Sequence, residues 1–164
     1  MSSTLPTEEA HFERFLTKLT EAGLRPALAY LLGLTTFRFI AIFRFHEGRA
    51  NAAAFYDRDN PSLLGVEEVP SSATYCCFAR DSKGAFITAS ALEDPRLEHH
   101  VARETVQSYC GIPIMTPEGT ILGTLCMYDT APRDSSQVDL ALMVAAASAL
   151  QQRDLVPPYP GQPV

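Results

Sequence analysis

Between residues 37 and 57 the chain alternates apolar and polar side chains. Phe37, Phe39, Ala41, Phe43 and Phe45 fall on one side and Arg38 and Arg44 on the other, a period of two that predicts a β-strand. His46, Glu47, Gly48 and Arg49 supply a turn, and the stretch ANAAAFY returns antiparallel until DRDNP ends it. Ahead of this hairpin the period is that of a helix. Thr7 is placed to cap a helix with Glu8 and Glu9 in its first turn, where negative charge suits the dipole, and Phe12, Phe15, Leu16 and Leu19 then share one face as far as Gly23. Pro26 suits the first turn of a second helix carrying Leu28, Leu31 and Leu32.

Downstream the pattern predicts a short strand from Gly65 to Val69, then a short helix capped by Ser71 or Ser72 and closed by Gly84. AFITAS reads as a strand, Asp94-Pro95-Arg96 as a turn, and LEHHVARETVQS begins as a helical turn. YCGIPIM and TILGTLCMYD form a hairpin about TPEG, in which Gly119 serves the turn and Gly111 and Gly123 let backbones pass closely or tolerate a bulge. A terminal helix capped by Ser135 or Asp134 follows; its segment VDLALMVAAASAL is apolar almost all round, which requires burial on more than one side. The expected fold is α+β: an antiparallel sheet of five to six strands, with the N- and C-terminal helices on one face and short helices and loops over the other.

The chain has 164 residues, 46% of them hydrophobic and 20% charged, the size and mix of one domain that buries a core. The expected division is a disordered segment over 1–7, one domain over 8–153 and a proline-rich, loose tail over 154–164. No stretch approaches the roughly 18 to 20 consecutive apolar residues of a membrane span, and the N-terminus carries no signal-peptide pattern. A cytoplasmic location is expected. The net charge of −6, with both signs interspersed, offers no basic stripe for a phosphate backbone, so no direct contact with nucleic acid is expected.

The segment 81–129 collects Cys110, Cys126, the adjacent His99 and His100, and the Asp-Pro-Arg turn. A catalytic site, a metal site and the wall of a binding pocket all remain open from the residues alone. The adjacent histidines point about 100° apart on a helix and do not make the i, i+4 pair that suits a metal. Asp94 and Arg96 either grip a polar ligand or belong to a self-satisfied turn in which the Asp94 carboxylate accepts nearby backbone N–H groups.

The DPR turn followed by SYCGIPI, the PEGTILGTLCMYD hairpin and a polar-capped terminal helix resemble the GAF domain family, small-ligand sensor modules related to PAS domains. The resemblance covers about residues 8–153. It implies a pocket over one sheet face beneath the segments from Ser71 to Tyr109, offering Tyr75, Cys76, Phe78, Asp94, His99, His100 and Tyr109 to a small molecule. It names no cofactor, because the family hosts many ligands or none, and the signatures for bilins and cyclic nucleotides are not legible here. One branch, the free methionine-(R)-sulfoxide reductases, uses pocket cysteines, and one of these sits before a helix as Cys76 and Cys77 do. The second, expected in the loop after the DPR turn, is missing. Cys110 and Cys126 lie instead in the hairpin strands, as small buried hydrophobes.

The expected function is therefore ligand sensing in bacterial signal transduction, with thiol redox catalysis and a ligand-free interaction scaffold as the rivals. A free-standing sensor, or a module with a separate signalling partner, is expected. The terminal helices, residues 8–22 and 138–150, predict a homodimer, with Ala146 taken as an outward position.

Overall fold

The alternating segments pair into one six-stranded antiparallel sheet in the computed structural model, which describes residues 8–160. Two helices open the chain, α1 (Glu8–Glu21) and α2 (Leu24–Gly33). Strands β1 (Phe39–His46) and β2 (Arg49–Asp57) form the first hairpin, and β3 (Val69–Pro70) pairs briefly with β2. Helix α3 (Cys76–Ser82) and strand β4 (Phe86–Thr88) precede a second hairpin of β5 (Ser108–Met115) and β6 (Ile121–Asp129), and α4 (Leu140–Gln152) closes the fold. The sheet order is β3-β2-β1-β6-β5-β4, so the two hairpins meet at β1 and β6 in the centre.

Turn chemistry fixes the hairpins. Glu47 and Gly48 both take positive φ, 49° and 77°, the left-handed pair that matches the twist of two strands joined by two residues. At the second hairpin Gly119 takes φ 88° and its N–H donates to Thr116 O. Gly123 answers a different need: a Cβ there would lie 2.3 Å from Phe43 O, beside the register shift between Ile42 and Phe43 of β1.

Helices α1, α2 and α4 pack on one sheet face, burying Phe15, Leu28, Leu31, Ile40, Ile42, Leu125 and Met143 in an aliphatic core. Helix α3 and the irregular segments between β3 and β5 cover the other, where Ala41, Phe43, Phe55, Tyr75, Cys76, Tyr109 and Cys126 gather. This is the α+β arrangement the patterning predicts.

Several local expectations give way. Phe37 belongs to the helix-side core, because strand pairing begins only at Phe39 and the alternation does not extend back to it. The third strand is confined to Val69–Pro70 rather than running from Gly65. Ser71 opens a 3-10 turn, Ser71–Ala73, and α3 starts at Cys76 with no side-chain cap; Lys83, at φ 54°, takes the left-handed exit expected of Gly84. Asp134 caps a 3-10 turn, Ser135–Gln137, while Asp139 caps α4 by accepting from Leu142 N. Ala146 is fully buried, and the face α4 leaves outward is Ala141, Val144 and Ser148. The cap assigned to Thr7 and the segment 1–7 lie outside the described residues.

The stretch from Asp154, expected as loose, lies against the sheet as far as residue 160. Arg44, buried on the helix-side face, donates from Nη1 to Pro157 O and Pro158 O and from Nη2 to Asn51 Oδ1, its register partner on β2. Val156 and Tyr159 are buried, and the Tyr159 hydroxyl donates to Glu68. A buried guanidinium with no carboxylate needs acceptors, and the carbonyls around two prolines supply them; burial lowers the Arg44 pKa.

Candidate functional site

The pocket-side face is built around a tyrosine lying along a glycine. Tyr109 and Gly111 occupy alternate positions of β5 and so share one sheet face. A Cβ on Gly111 would sit 2.1 Å from Tyr109 Oη, so only glycine lets the ring lie along the strand. Laid down in this way, the hydroxyl donates to Cys76 Sγ at 3.1 Å. Cys76 donates to Cys126 Sγ at 3.9 Å, and Cys126 to Ala41 O at 3.7 Å. A continuous polar thread thus runs from Tyr109 through two thiols to the backbone of β1.

The thiols differ. Burial works against ionising Cys76, but neighbours able to donate to its thiolate, Cys126 first and then Thr124, Tyr109 and Thr74, outweigh it and bring this thiol below its ordinary pKa. Burial, then the neighbouring Cys76, pushes Cys126 well above it, and burial followed by the adjacent sulfurs does the same to the Tyr109 hydroxyl. Cys77 is half-buried, donates to Thr74 O at 3.0 Å, and is raised by burial. Cys110 faces the opposite core beside Met143 and is pushed up to about 12 by burial.

Above this thread lies a cavity of about 140 Å³. Its floor and walls are Phe43, Tyr75, Cys76, Tyr109 and Tyr128, and its roof is Ala73, Thr74, Ala102 and Val106. No acidic or basic side chain lines it. The Tyr75 hydroxyl holds the roof by donating to Val106 O at 2.8 Å, and its ring meets Tyr109 edge-on at 5.7 Å.

Of the residues expected to form a pocket, Tyr75, Cys76 and Tyr109 line this cavity. Phe78 and His100 stand behind it. Phe78 stacks on Phe86 at 4.6 Å, and the His100 ring meets Tyr75 at 4.7 Å. His100 accepts at Nδ1 from Ala102 N and donates from Nε2 to Thr74 O, a neutral tautomer consistent with its burial-lowered pKa. Asp94 and His99 do not line it. His99 is exposed, and Asp94 is held by Arg96, accepting from its N–H and Nε at 3.0 Å each and from Nη2 at 2.6 Å. Arg96 holds the Asp94 carboxyl down to about 2 and also donates to Ile87 O, so the turn is clamped to β4. Phe43, Thr74, Val106 and Tyr128 escaped the sequence reading. Phe43 was visible on the alternating face of β1; nothing local marked the others.

Two larger depressions flank the helix layer. One, about 240 Å³, includes His11, Gln137 and Asp139, but these groups are already engaged with Tyr30, Thr36 and Leu142. The other, about 320 Å³, is an apolar groove between α4 and β5. Among the described residues no group of three His, Cys, Asp or Glu side chains could hold a metal, and no helix is long and apolar enough to cross a membrane.

The GAF domain profile matches residues 20–152. The chain belongs to the GAF domain family. A cyclic di-GMP phosphodiesterase of Pseudomonas aeruginosa is 31% identical over 94 residues, covering 55% of this chain and 16% of that protein, so the match spans a small part of its length. Among solved structures, the GAF domain of an Acinetobacter phosphoenolpyruvate-protein phosphotransferase aligns with a TM-score of 0.71 at 16% identity, over 93% of each chain. The free methionine-R-sulfoxide reductase of Neisseria meningitidis, solved with its substrate, aligns with a TM-score of 0.69 at 15% identity, over 95% of each. At these identities the two structures speak for the GAF fold alone.

Proposed function

We propose that this GAF domain senses a small, uncharged, ring-bearing molecule in signal transduction, binding it in the cavity between Tyr75, Tyr109 and Tyr128. The lining carries the reading: aromatic faces and no charged side chain. A cavity of about 150 Å³ in an apolar core accommodates a benzene-sized guest, so a volume of about 140 Å³ fits a single ring rather than a nucleotide or a pigment. Tyrosine rings suit such a guest because they offer large apolar surface with a hydroxyl at the edge. Binding would order the roof at Ala102 and Val106, and helix contacts with a second copy, through the outward face of α4 at Val144, would relay it.

A second reading is a thiol-dependent reductase of free methionine sulfoxide, which Cys76 at the cavity wall favours. That substrate carries an ammonium and a carboxylate, and the cavity has no ion to meet either, which favours sensing.

The test is a thermal-shift panel of neutral one-ring compounds against cyclic nucleotides and methionine sulfoxide, in the parent protein and in Ala102→Trp, which fills the cavity. Neutral rings should raise Tm in the parent alone, since a ligand bound only to the folded state stabilises it by mass action. A panel with no shift, or cysteine-dependent turnover of methionine sulfoxide, overturns the sensing reading. For the relay, light scattering should give twice the chain mass, reverting in Val144→Glu; a parent that stays monomeric at micromolar concentration refutes it.

A further inference from the structure

We propose that Cys76 and Cys126 form an oxidisable dithiol, which hydrogen peroxide entering through the cavity converts into a disulfide tying α3 to β6. This inference rests on the geometry beneath the cavity and is independent of which ligand, if any, occupies it.

Fifty residues separate the two cysteines in the chain, yet their sulfurs lie 3.9 Å apart. Cys76 lines the cavity wall, while Cys126 stands behind it against Ala41 O. The space of about 140 Å³ beside Cys76 is several times the volume of a water, room for an uncharged molecule of peroxide's size next to this buried residue. The other two cysteines are differently placed: Cys110 faces the helix-side core, and Cys77 hydrogen-bonds a backbone carbonyl. The arrangement therefore singles out one attacking thiol and one resolving thiol.

The second observation is Thr124. Its side chain is fully buried on the strand that carries Cys126, and its Oγ1 has no hydrogen-bond partner. A buried hydroxyl left in this way costs stability unless some state of the protein uses it. Thr124 is among the donors that favour the thiolate of Cys76, and Tyr109 already donates to the same sulfur. Ionising Cys76 gives the idle donor an acceptor.

The chemistry balances. The Cys76 thiolate attacks one peroxide oxygen, the O–O bond breaks, and the displaced hydroxide takes up the proton that Cys76 released, giving water and a sulfenic acid on Cys76. Cys126 then attacks the Cys76 sulfur, the S–O bond breaks, and the departing hydroxide leaves as water with the Cys126 proton. Two thiols lose two electrons and one peroxide becomes two waters. Because a disulfide holds its sulfurs about 2 Å apart, closing the 3.9 Å gap draws the Cys76 side chain at the cavity wall toward β6.

The test is peroxide treatment of ligand-free protein, followed by intact-mass measurement and peptide mapping without reductant. The expected result is a loss of two hydrogens per chain, a single Cys76–Cys126 cross-link, and reversal by dithiothreitol. In Cys126→Ser, dimedone should trap a sulfenic acid on Cys76; in Cys77→Ser the cross-link should form as in the parent. If Cys126→Ser does not fold, mapping of the parent decides alone. A chain that keeps its mass, or a cross-link through Cys77 or Cys110, overturns the proposal. Neither result depends on the thermal-shift panel, so this inference and the sensing reading fail separately.

Discussion

The helix-side face of the sheet buries nearly twice as many apolar side chains as the pocket-side face, and the two do different work. The helix-side core interlocks leucines and alanines from the helices with isoleucines from β1 and β5, with Leu125 and Leu28 wholly enclosed. The pocket-side core is made of rings and sulfurs: Tyr75, Tyr109, Phe86, Cys76 and Cys126 pack through edges and hydrogen bonds, and Phe43 and Tyr128 wall the cavity with them. Aliphatic side chains fill space by interdigitating; bulky rings, two of them, Tyr75 and Tyr109, fixed by their hydroxyls, leave a gap between them. One face holds the fold together and the other keeps room for a guest.

The sharpest way to break this comparison is to shorten one aliphatic residue on each side. Leu125→Ala should cost about 2–5 kcal/mol in denaturant unfolding, because its neighbours on α4 and β5 cannot collapse into the space. Val106→Ala, in the half-buried cavity roof, should cost less than about 1 kcal/mol, since its side chain already borders a void. Equal losses would mean that both faces are packed for stability and that the cavity is incidental.

Gly111 separates the two faces more finely. Gly111→Ala puts a methyl group against the Tyr109 ring and should destabilise by about 1–3 kcal/mol, as overpacking does. If the ring is the cause, the same substitution in a Tyr109→Ala background should cost only a few tenths of a kcal/mol, a coupling read from the double-mutant cycle. An undiminished cost in that background would place the strain in the backbone instead.

How far the sequence anticipates these faces follows from what each is made of. Strands and helices were legible because period two and period 3.6 leave different marks; the strand order was not, because two hairpins do not say which of their strands meet, and here β1 and β6 do. Helix α4 resisted. With alanine on nearly every side it has no amphipathic contrast, so the outward position could not be read, and Ala146 proves to be in the core. Its cap was placed too early, at Ser135 or Asp134: Asp134 caps the preceding 3-10 turn, and Asp139 caps the helix itself. In the site, Tyr75, Cys76 and Tyr109 were legible through the family resemblance. The pairing of Cys76 with Cys126 was not, because contact across fifty residues is a property of the sheet register and of where α3 lands. Gly111 was marked as a place of close approach, but what approaches is a side chain two residues away on its own strand.

The smallest effect expected concerns what holds the cover of the pocket side in place. The helix layer is anchored by apolar burial, whereas the turn at Asp94 is anchored by charge, through Arg96 to β4. Arg96 holds the Asp94 carboxyl at about 2 against an ordinary value of 3.8, so the folded state binds a proton less readily than the unfolded one. Stability from this pair is therefore present in full above about pH 4 and lost as the pH falls through about 2. Asp94→Asn retains an oxygen for Arg96 N but removes the charge. Because the Arg96 side chain is 55% exposed, screening limits the loss to about 0–1 kcal/mol at neutral pH. In a series of thermal melts, the gap between the parent and Asp94→Asn should be constant from pH 7 to about 5, narrow below about 4, and close near 2; salt should shrink it at neutral pH. A gap that ignores both pH and salt would show that the turn is held by its hydrogen bonds alone, and the contrast between an apolar anchor on one face and an ionic one on the other would not stand.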